Sequence, residues 1–247
     1  VEATLAPTDV LCWGEANGSI AATVQGAAVP VHYFWSTGPG PVDSLLNLPA
    51  GTYALTVVDS LGCADTASVQ VSQPDSLVVA LATGDFNGFG ISCAGANNGS
   101  ISAAPTGGAG GYQYAWSPNG SGPNLTDLSP GTYSLTATDA NGCATESSAV
   151  ISEPPPLVIS LAATDEICLG GANGTITVTT QGGVAPYSVN GASAGATYIL
   201  QGLNVDTYDV LVTDANGCTT SADTSIGVLF STVAISADSA TCYGEAD

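Results

Sequence analysis

The sequence predicts an all-β chain: tandem immunoglobulin-like β-sandwich domains arranged as an extended rod. Three observations predict it. One set of landmarks occurs three times in fixed order. Each copy consists of short runs of period-2 apolar character bounded by turn residues. No segment of helical length carries a 3.6-residue apolar period. Six or seven short strands in a copy of this size make a sandwich.

The first landmark is Cys-x-Gly followed by Asn-Gly-Ser/Thr-Ile. It reads Cys12-Trp13-Gly14 with Asn17-Gly18-Ser19-Ile20, Cys93-Ala94-Gly95 with Asn98-Gly99-Ser100-Ile101, and Cys168-Leu169-Gly170 with Asn173-Gly174-Thr175-Ile176. Strands begin here, over 19–24, 100–104 and 175–179. An aromatic strand follows: His32-Tyr33-Phe34-Trp35, then Gln113-Tyr114-Ala115-Trp116, weakening to Tyr187-Ser188-Val189-Asn190. The third landmark is Thr-Tyr, an alternating run, then Asp-x-x-Gly-Cys. It covers Thr52 to Cys63, Thr132 to Cys143 and Thr207 to Cys218. Asn141-Gly142 and Asn216-Gly217 are hairpin-turn dipeptides, whose favoured turn needs positive φ at both positions. Another strand follows each second Cys, as over 67–71.

The first Cys recurs at intervals of 81, 75 and 74 residues, and the two Cys of a copy stand 51, 50 and 50 apart. The copies are residues 1–74, 75–154 and 155–229, and 230–247 opens a fourth at Cys242. Pro74 and Pro154-Pro155-Pro156 act as short stiff spacers between copies.

Domains this small have thin cores and often need a staple. Pairing Cys12–Cys63, Cys93–Cys143 and Cys168–Cys218 supplies one each, worth roughly 4 kcal/mol for a loop of about 50 residues. It leaves Cys242 with a partner outside the chain. The rival pairing runs between copies: Cys63–Cys93, Cys143–Cys168 and Cys218–Cys242. The within-copy pairing is preferred because small extracellular domains usually carry their own staple.

The chain has no Lys, no Arg and 21 acidic residues among its 247, a formal charge of -21. Nucleic acid is excluded as a partner, since phosphate binding needs Lys and Arg. Anionic membrane is disfavoured for the same reason. No run of 18 apolar residues is present, so no membrane insertion is expected. Trypsin-like proteases find no site. The chain begins Val1-Glu2 without a basic leader and reads as an interior or mature piece. Seven Cys in so polar a chain point to an oxidising compartment.

These landmarks resemble the SprB-type repeat of gliding and biofilm-forming Bacteroidetes. Gly182-Gly183-Val184-Ala185-Pro186-Tyr187 and Gln73-Pro74-Asp75-Ser76-Leu77 match two further parts of its pattern. The chain departs from it at Val189 (no Trp), at Gly111-Tyr112 (no Pro), and at Ile226-Gly227-Val228 (no Gln-Pro). The resemblance implies a giant secreted adhesin, exported by a gliding-associated route and displayed as filaments.

Catalytic residues are nearly absent. His32 is the sole His, and no carboxylate pair stands in a unique context. Tyr53, Tyr133 and Tyr208 are expected to anchor a corner with ring buried and hydroxyl on backbone. Trp35 and Trp116 are expected in the core against the disulfide, whereas Trp13 is the candidate for exposure and sugar stacking. Asp59, Asp139 and Asp214 suit a turn whose carboxylate accepts backbone N–H groups. If the disulfide joins the first loop to that turn, Asp9, Glu15 and Asp59 gather in copy one, and Asp165, Glu166 and Asp214 in copy three. Such acid poles are candidate calcium sites; no other cofactor is expected. Candidate glycan acceptors are Asn17, Asn98 and Asn173 in sequons, and Ser44, Thr66 and Ser76 in Asp-Ser/Thr-apolar triplets.

The function expected is a structural stalk segment of a cell-surface adhesin. Its partners would be neighbouring repeats, other copies in a fibre, and an extracellular surface or polysaccharide. The competing expectations are a polysaccharide-binding array and spacer domains of a secreted enzyme.

Overall fold

The computed structural model describes residues 1–39, 42–118, 120–167 and 170–229. Among these, every regular element is a β-strand. The start of the fourth copy, with Cys242, lies outside the described residues, as does Cys168.

The first copy contributes β1 (Glu2–Thr8), β2 (Gly18–Gln25), β3 (His32–Trp35), β4 (Gly38–Pro39), β5 (Ser44–Leu48), β6 (Gly51–Val58) and β7 (Ala64–Val71). They form two sheets, β1-β2-β5 and β4-β3-β6-β7. The inward positions alternate as the sequence does. Tyr53, Leu55 and Val57 of β6 close on Ile20, Trp35, Leu48 and Val71. At about 25 cal/mol per Å² of apolar surface, this two-sided burial is the main stabilising term.

The second copy repeats the plan with β8 (Val78–Thr83), β9 (Gly99–Thr106), β10 (Gln113–Ser117), β11 (Asn124–Leu128), β12 (Gly131–Thr138) and β13 (Ala144–Ile151). Its sheets are β8-β9-β11 and β10-β12-β13. The third has β14 (Val158–Thr164), β15 (Gly174–Gln181), β16 (Tyr187–Val189), β17 (Ala192–Ala194), β18 (Thr197–Leu203), β19 (Asp206–Thr213) and β20 (Thr219–Ile226), in sheets β14-β15-β18 and β17-β16-β19-β20. All pairs within these sheets are antiparallel. These are tandem immunoglobulin-like sandwiches.

One turn expectation is corrected. At Asn141-Gly142 and Asn216-Gly217 only the Gly has positive φ, 85° and 83°. The preceding Asp takes over the turn with its carboxylate, so the Asn need not enter the left-handed region. Two-residue turns with both positions at positive φ occur instead at Asn190-Gly191 (47° and 81°), joining β16 to β17, and at Asn87-Gly88 (53° and 93°), between the bridged Phe86 and Phe89.

By its contacts the chain divides into two compact units. One comprises Val1–Asp85 with Asn97–Ser152, the other Phe86–Ala96 with the chain from Glu153 onward. The first unit thus holds two sandwiches. The second holds the third sandwich together with the Cys93 loop of the second copy.

Candidate functional site

Strand direction assigns the two Cys-bearing segments of a copy to opposite poles. In the first copy the Cys12 loop joins β1 to β2, whose antiparallel register runs from Thr8↔Ser19 to Glu2↔Gln25. The end of β7 lies at that same pole, since the Val10 amide donates to Ser72 O at 2.9 Å. The Cys63 turn joins β6 to β7 at the other end, where the Ala28 amide just beyond β2 donates to Asp59 Oδ2 at 3.2 Å. Eight residues of β6 separate the poles by roughly 26 Å at ~3.3 Å per residue.

The turn is built by its Asp. Asp59 Oδ1 accepts the Leu61 and Cys63 amides at 2.9 and 2.8 Å. Asp139 Oδ1 does the same for Asn141 and Cys143, both 2.9 Å, and its Oδ2 takes Ala109 N at 2.8 Å. Asp214 repeats this with Asn216, Cys218 and Val184. All three Asp are buried. Burial raises the Asp59 pKa, but the hydrogen bonds from Ala28, Cys63 and Leu61 outweigh it and hold the carboxyl below its ordinary value. The Ala109 amide chiefly holds Asp139 down, against desolvation and with help from Cys143, Asn141 and Gly142. Gly107 and Gly182 serve the same pole. A Cβ there would collide with the carbonyl oxygens of Ser76 and Pro156, where each copy's entry strand begins.

The loop has its own braces. Its Gly must be left-handed: φ is 76° at Gly14, 74° at Gly95 and 79° at Gly170. Asn17 Oδ1 accepts Leu11 N at 2.9 Å, and Asn173 Oδ1 accepts Ile167 N at 3.1 Å. The Gly14 amide donates to Gln73 Oε1 and the Gly95 amide to Glu153 Oε2, both 3.0 Å. The residue before the spacer proline therefore reaches back to steady its own copy's Cys loop. This role was missed from sequence, although the Gln73-Pro74 and Glu153-Pro154 pairs marked it.

The disulfides join the loop of one copy to the turn of the next. Cys12 bonds Cys143 and Cys93 bonds Cys218, with Cα–Cα distances of 5.7 Å. The within-copy pairs Cys12–Cys63 and Cys93–Cys143 are thereby overturned, because a bridge needs Cα atoms within about 7 Å and the poles are far beyond that. Cys168–Cys218 fails as well, since Cys218 is taken by Cys93. The rival pairs Cys63–Cys93, Cys143–Cys168 and Cys218–Cys242 are contradicted by the same bonds. Cys63 is free and exposed. Around each bridge the turn's Asn grips the incoming loop: Asn141 Nδ2 donates to Leu11 O at 2.9 Å, and Asn216 Nδ2 to Ser92 O at 2.9 Å.

The acids read as calcium poles are divided by this geometry. Asp9 Oδ1 accepts Ser72 N, Glu15 Oε2 accepts Asn17 Nδ2, and Asp165 Oδ1 accepts Gly227 N. Glu166, fully buried, accepts Gly170 N and Ala172 N at 3.2 and 2.7 Å. Asp59 and Asp214 cap turns at the other pole. Among the described residues no three of His, Cys, Asp and Glu stand together as a metal site. Of the candidate acceptors, Ser76, Asn17, Asn98 and Asn173 are exposed, as is Thr66 in strand β7, while Ser44 is half-buried in β5. Asn17 and Asn173 are also braces, which gives their sequons a structural origin.

The aromatic expectations divide. Tyr53, Tyr133 and Tyr208 donate to the carbonyls of Pro49, Ser129 and Asn204 at 2.8, 3.0 and 3.0 Å, as corner anchors do, with the first two rings buried and that of Tyr208 only half-buried. Trp35 and Trp116 are buried, with Nε1 on Val42 O and Gly122 O. They do not pack on an in-domain disulfide, for the cysteines of those two copies form none. Trp13 is 56% exposed and edges an open crevice at the Cys12–Cys143 bridge, with Glu15, Ser76 and Leu77. His32 is exposed on β3.

No curated protein matches the chain in sequence. Solved structures similar to it include the N-terminal eight Ig domains of Down Syndrome Cell Adhesion Molecule, at 11% identity and TM-score 0.38 over 92% of this chain and 43% of that one. The ectodomain of mouse nectin-like molecule 4 is 11% identical at TM-score 0.34, over 92% and 94% of the two chains. Domains A168–A170 of titin are 9% identical at TM-score 0.30, over 90% and 97%. In sequence, the model of the SprB repeat matches at 4–40, 91–121 and 160–188, once within each of the three copies.

Proposed function

We propose that this chain is a structural segment of an extracellular, adhesin-type surface protein: a stalk whose repeats are cross-linked to one another. The observation that carries this reading is the placement of the disulfides. A staple that closes one domain protects that domain alone. Bridges from Cys12 to Cys143 and from Cys93 to Cys218 enclose segments with sequence separations of 131 and 125 and tie consecutive repeats together. Each contributes roughly 5 kcal/mol in the chain-entropy model. Each also provides a load path that bypasses the intervening strands. The lack of Lys and Arg supports the same role by removing every trypsin-like cleavage site. Buried Trp35 and Trp116, and a Trp13 crevice with no second aromatic lining it, favour a stalk over a sugar-binding array. No catalytic activity is assigned.

Pulling the chain from its two ends tests this. With bridges intact, the stretch between Cys12 and Cys218 extends only along the shortest covalent path, across Cys12–Cys143, back along the 50 residues to Cys93, and across Cys93–Cys218. Reduction should release 156 residues, the 206 from Cys12 to Cys218 less the 50 from Cys93 to Cys143, a gain on the order of 500 Å at ~3.3–3.6 Å per residue. Equal contour lengths with and without reductant would sink the cross-linked stalk.

A further inference from the structure

We propose that the Asp59–Cys63 turn of the first repeat is a docking seat for the Cys-x-Gly loop of another SprB repeat, bonded through Cys63. The inference rests on the cross-linked reading above and extends it to a contact the chain does not make within itself. Cys63 is exposed and free, yet its two counterparts in this chain, Cys143 and Cys218, each hold such a loop. The seat is already formed. Asp59 Oδ1 holds the Leu61 and Cys63 amides as Asp139 and Asp214 hold theirs, and Asp59 N donates to Cys63 O at 3.0 Å, matching 2.9 Å at the two occupied turns.

The surroundings match too. At the occupied junctions the loop lies against the turn and the first apolar residue of the receiving repeat: Gly142, Cys143 and Leu77 in one, Gly217, Cys218 and Leu157 in the other. Strand register puts Val1 in the place of Leu77 and Leu157, since Glu2↔Gln25 corresponds to Val78↔Thr106 and Val158↔Gln181. The position that donates to the loop differs. Where Asn141 and Asn216 donate to the incoming loop, the first repeat has Leu61, 79% exposed. This seat therefore offers an apolar contact and a thiol in place of an amide donor, and a bound loop would cover a large exposed side chain.

The covalent step needs an oxidant, here a low-molecular-weight disulfide such as oxidised glutathione. Cys63 thiolate attacks it and expels one glutathione thiolate. The loop thiolate then attacks the Cys63 sulfur of that mixed disulfide and expels the second. Two protein thiols become one disulfide, and one glutathione disulfide becomes two thiols.

The test is the full chain preceded directly by a duplicate of its own residues 77–156. This places a Cys-x-Gly loop one repeat upstream of Cys63, at a separation between those of the two observed bridges. After equilibration in glutathione redox buffer, Cys63 of the unextended chain should react with iodoacetamide. In the extended chain it should be protected at least tenfold and recovered in a peptide linked to the duplicate's copy of Cys93. Cys63→Ser in the extended chain should return that thiol to reactivity and leave the Cys12–Cys143 and Cys93–Cys218 bridges in place. A second measurement needs no added domain. The unaltered chain, offered a peptide of residues 10–17 with oxidised glutathione, should form the peptide–Cys63 disulfide several-fold more than its share by concentration. A Cys63 that stays open in the extended chain and shows no preference for the peptide overturns the inference. Because the two internal bridges are read in the same digest, that outcome is distinguishable from failure of the cross-linked stalk itself.

Discussion

The Cys-x-Gly loop is braced from opposite sides in the first and third repeats. In the first, the residue two before the Cys is Val10, buried and apolar, and the Gly14 amide finds its acceptor on Gln73, two residues past the end of β7. In the third, the residue two before the Cys is Glu166, which accepts the Gly170 amide itself and the Ala172 amide besides. Val228 stands two residues past the end of β20, where Gln73 would be. The polar acceptor and the apolar side chain have exchanged places. The second repeat follows the first, with Ile91 buried and Glu153 accepting Gly95 N. The comparison teaches that the left-handed Gly requires an acceptor for its amide, and that either side of the loop can supply it. It also explains why the third repeat tolerates the loss of its Gln-Pro pair.

The exchange is open to direct attack. Glu166→Val removes the acceptor of two part-buried amide hydrogen bonds and should cost the third sandwich about 1–3 kcal/mol, at about 0.5–1.5 kcal/mol for each bond lost. Denaturant unfolding would read it. Adding Val228→Gln to that variant should restore about half of the loss by rebuilding the first repeat's arrangement. A double variant no more stable than Glu166→Val would break the comparison.

A smaller effect is expected in the first repeat. Gln73→Ala removes one exposed hydrogen bond and should cost about 0.5–1 kcal/mol, with faster hydrogen exchange at the Gly14 amide as its local sign. Unchanged exchange there would mean that the loop holds its shape without the brace.

The mildest effect separates braces from turns. The Asp59 and Asp139 carboxyls sit below their ordinary value of 3.8 when folded. Around that pH the unfolded chain binds more protons, so their contribution is complete well above 3.8 and is lost as pH falls through the folded values. Gln73 does not titrate. Acid should therefore release the Leu61 and Cys63 amides before the Gly14 amide, as measured by exchange at stepped pH. Simultaneous release would show that turn and loop open as one unit.

Much of this was legible in the sequence. Alternation from Tyr53 to Val58 identified β6 and its buried face, since strand side chains have a period of two. Thr52-Tyr53 and its counterparts identified the corner tyrosines, and Asp59, Asp139 and Asp214 were readable as turn caps because a carboxylate spaced two and four residues before free amides can accept both. The exchanged pair Glu166 and Val228 was not legible. A lone Glu beside Asp165 looks like a cation ligand until the amides it faces are known. Nor was the Asn turn, where the Asp carboxylate relieves Asn141 of the positive φ that the dipeptide suggested.

The sequence by itself determined the number of repeats, the β class, the core alternation and the chemistry of each turn, because these depend on residues close along the chain. Only the tertiary structure decided the disulfide partners. Whether Cys12 and Cys63 share a pole depends on how many times the chain reverses between them, and six or seven strands per copy leaves that parity open. With Cys63 between β6 and β7 and Cys12 between β1 and β2, the two fall at opposite ends of the sandwich. Each repeat leaves through one pole and the next enters through the other, so the loop of one copy meets the turn of its successor. A cross-link that composition suggested would close each domain instead joins it to the next.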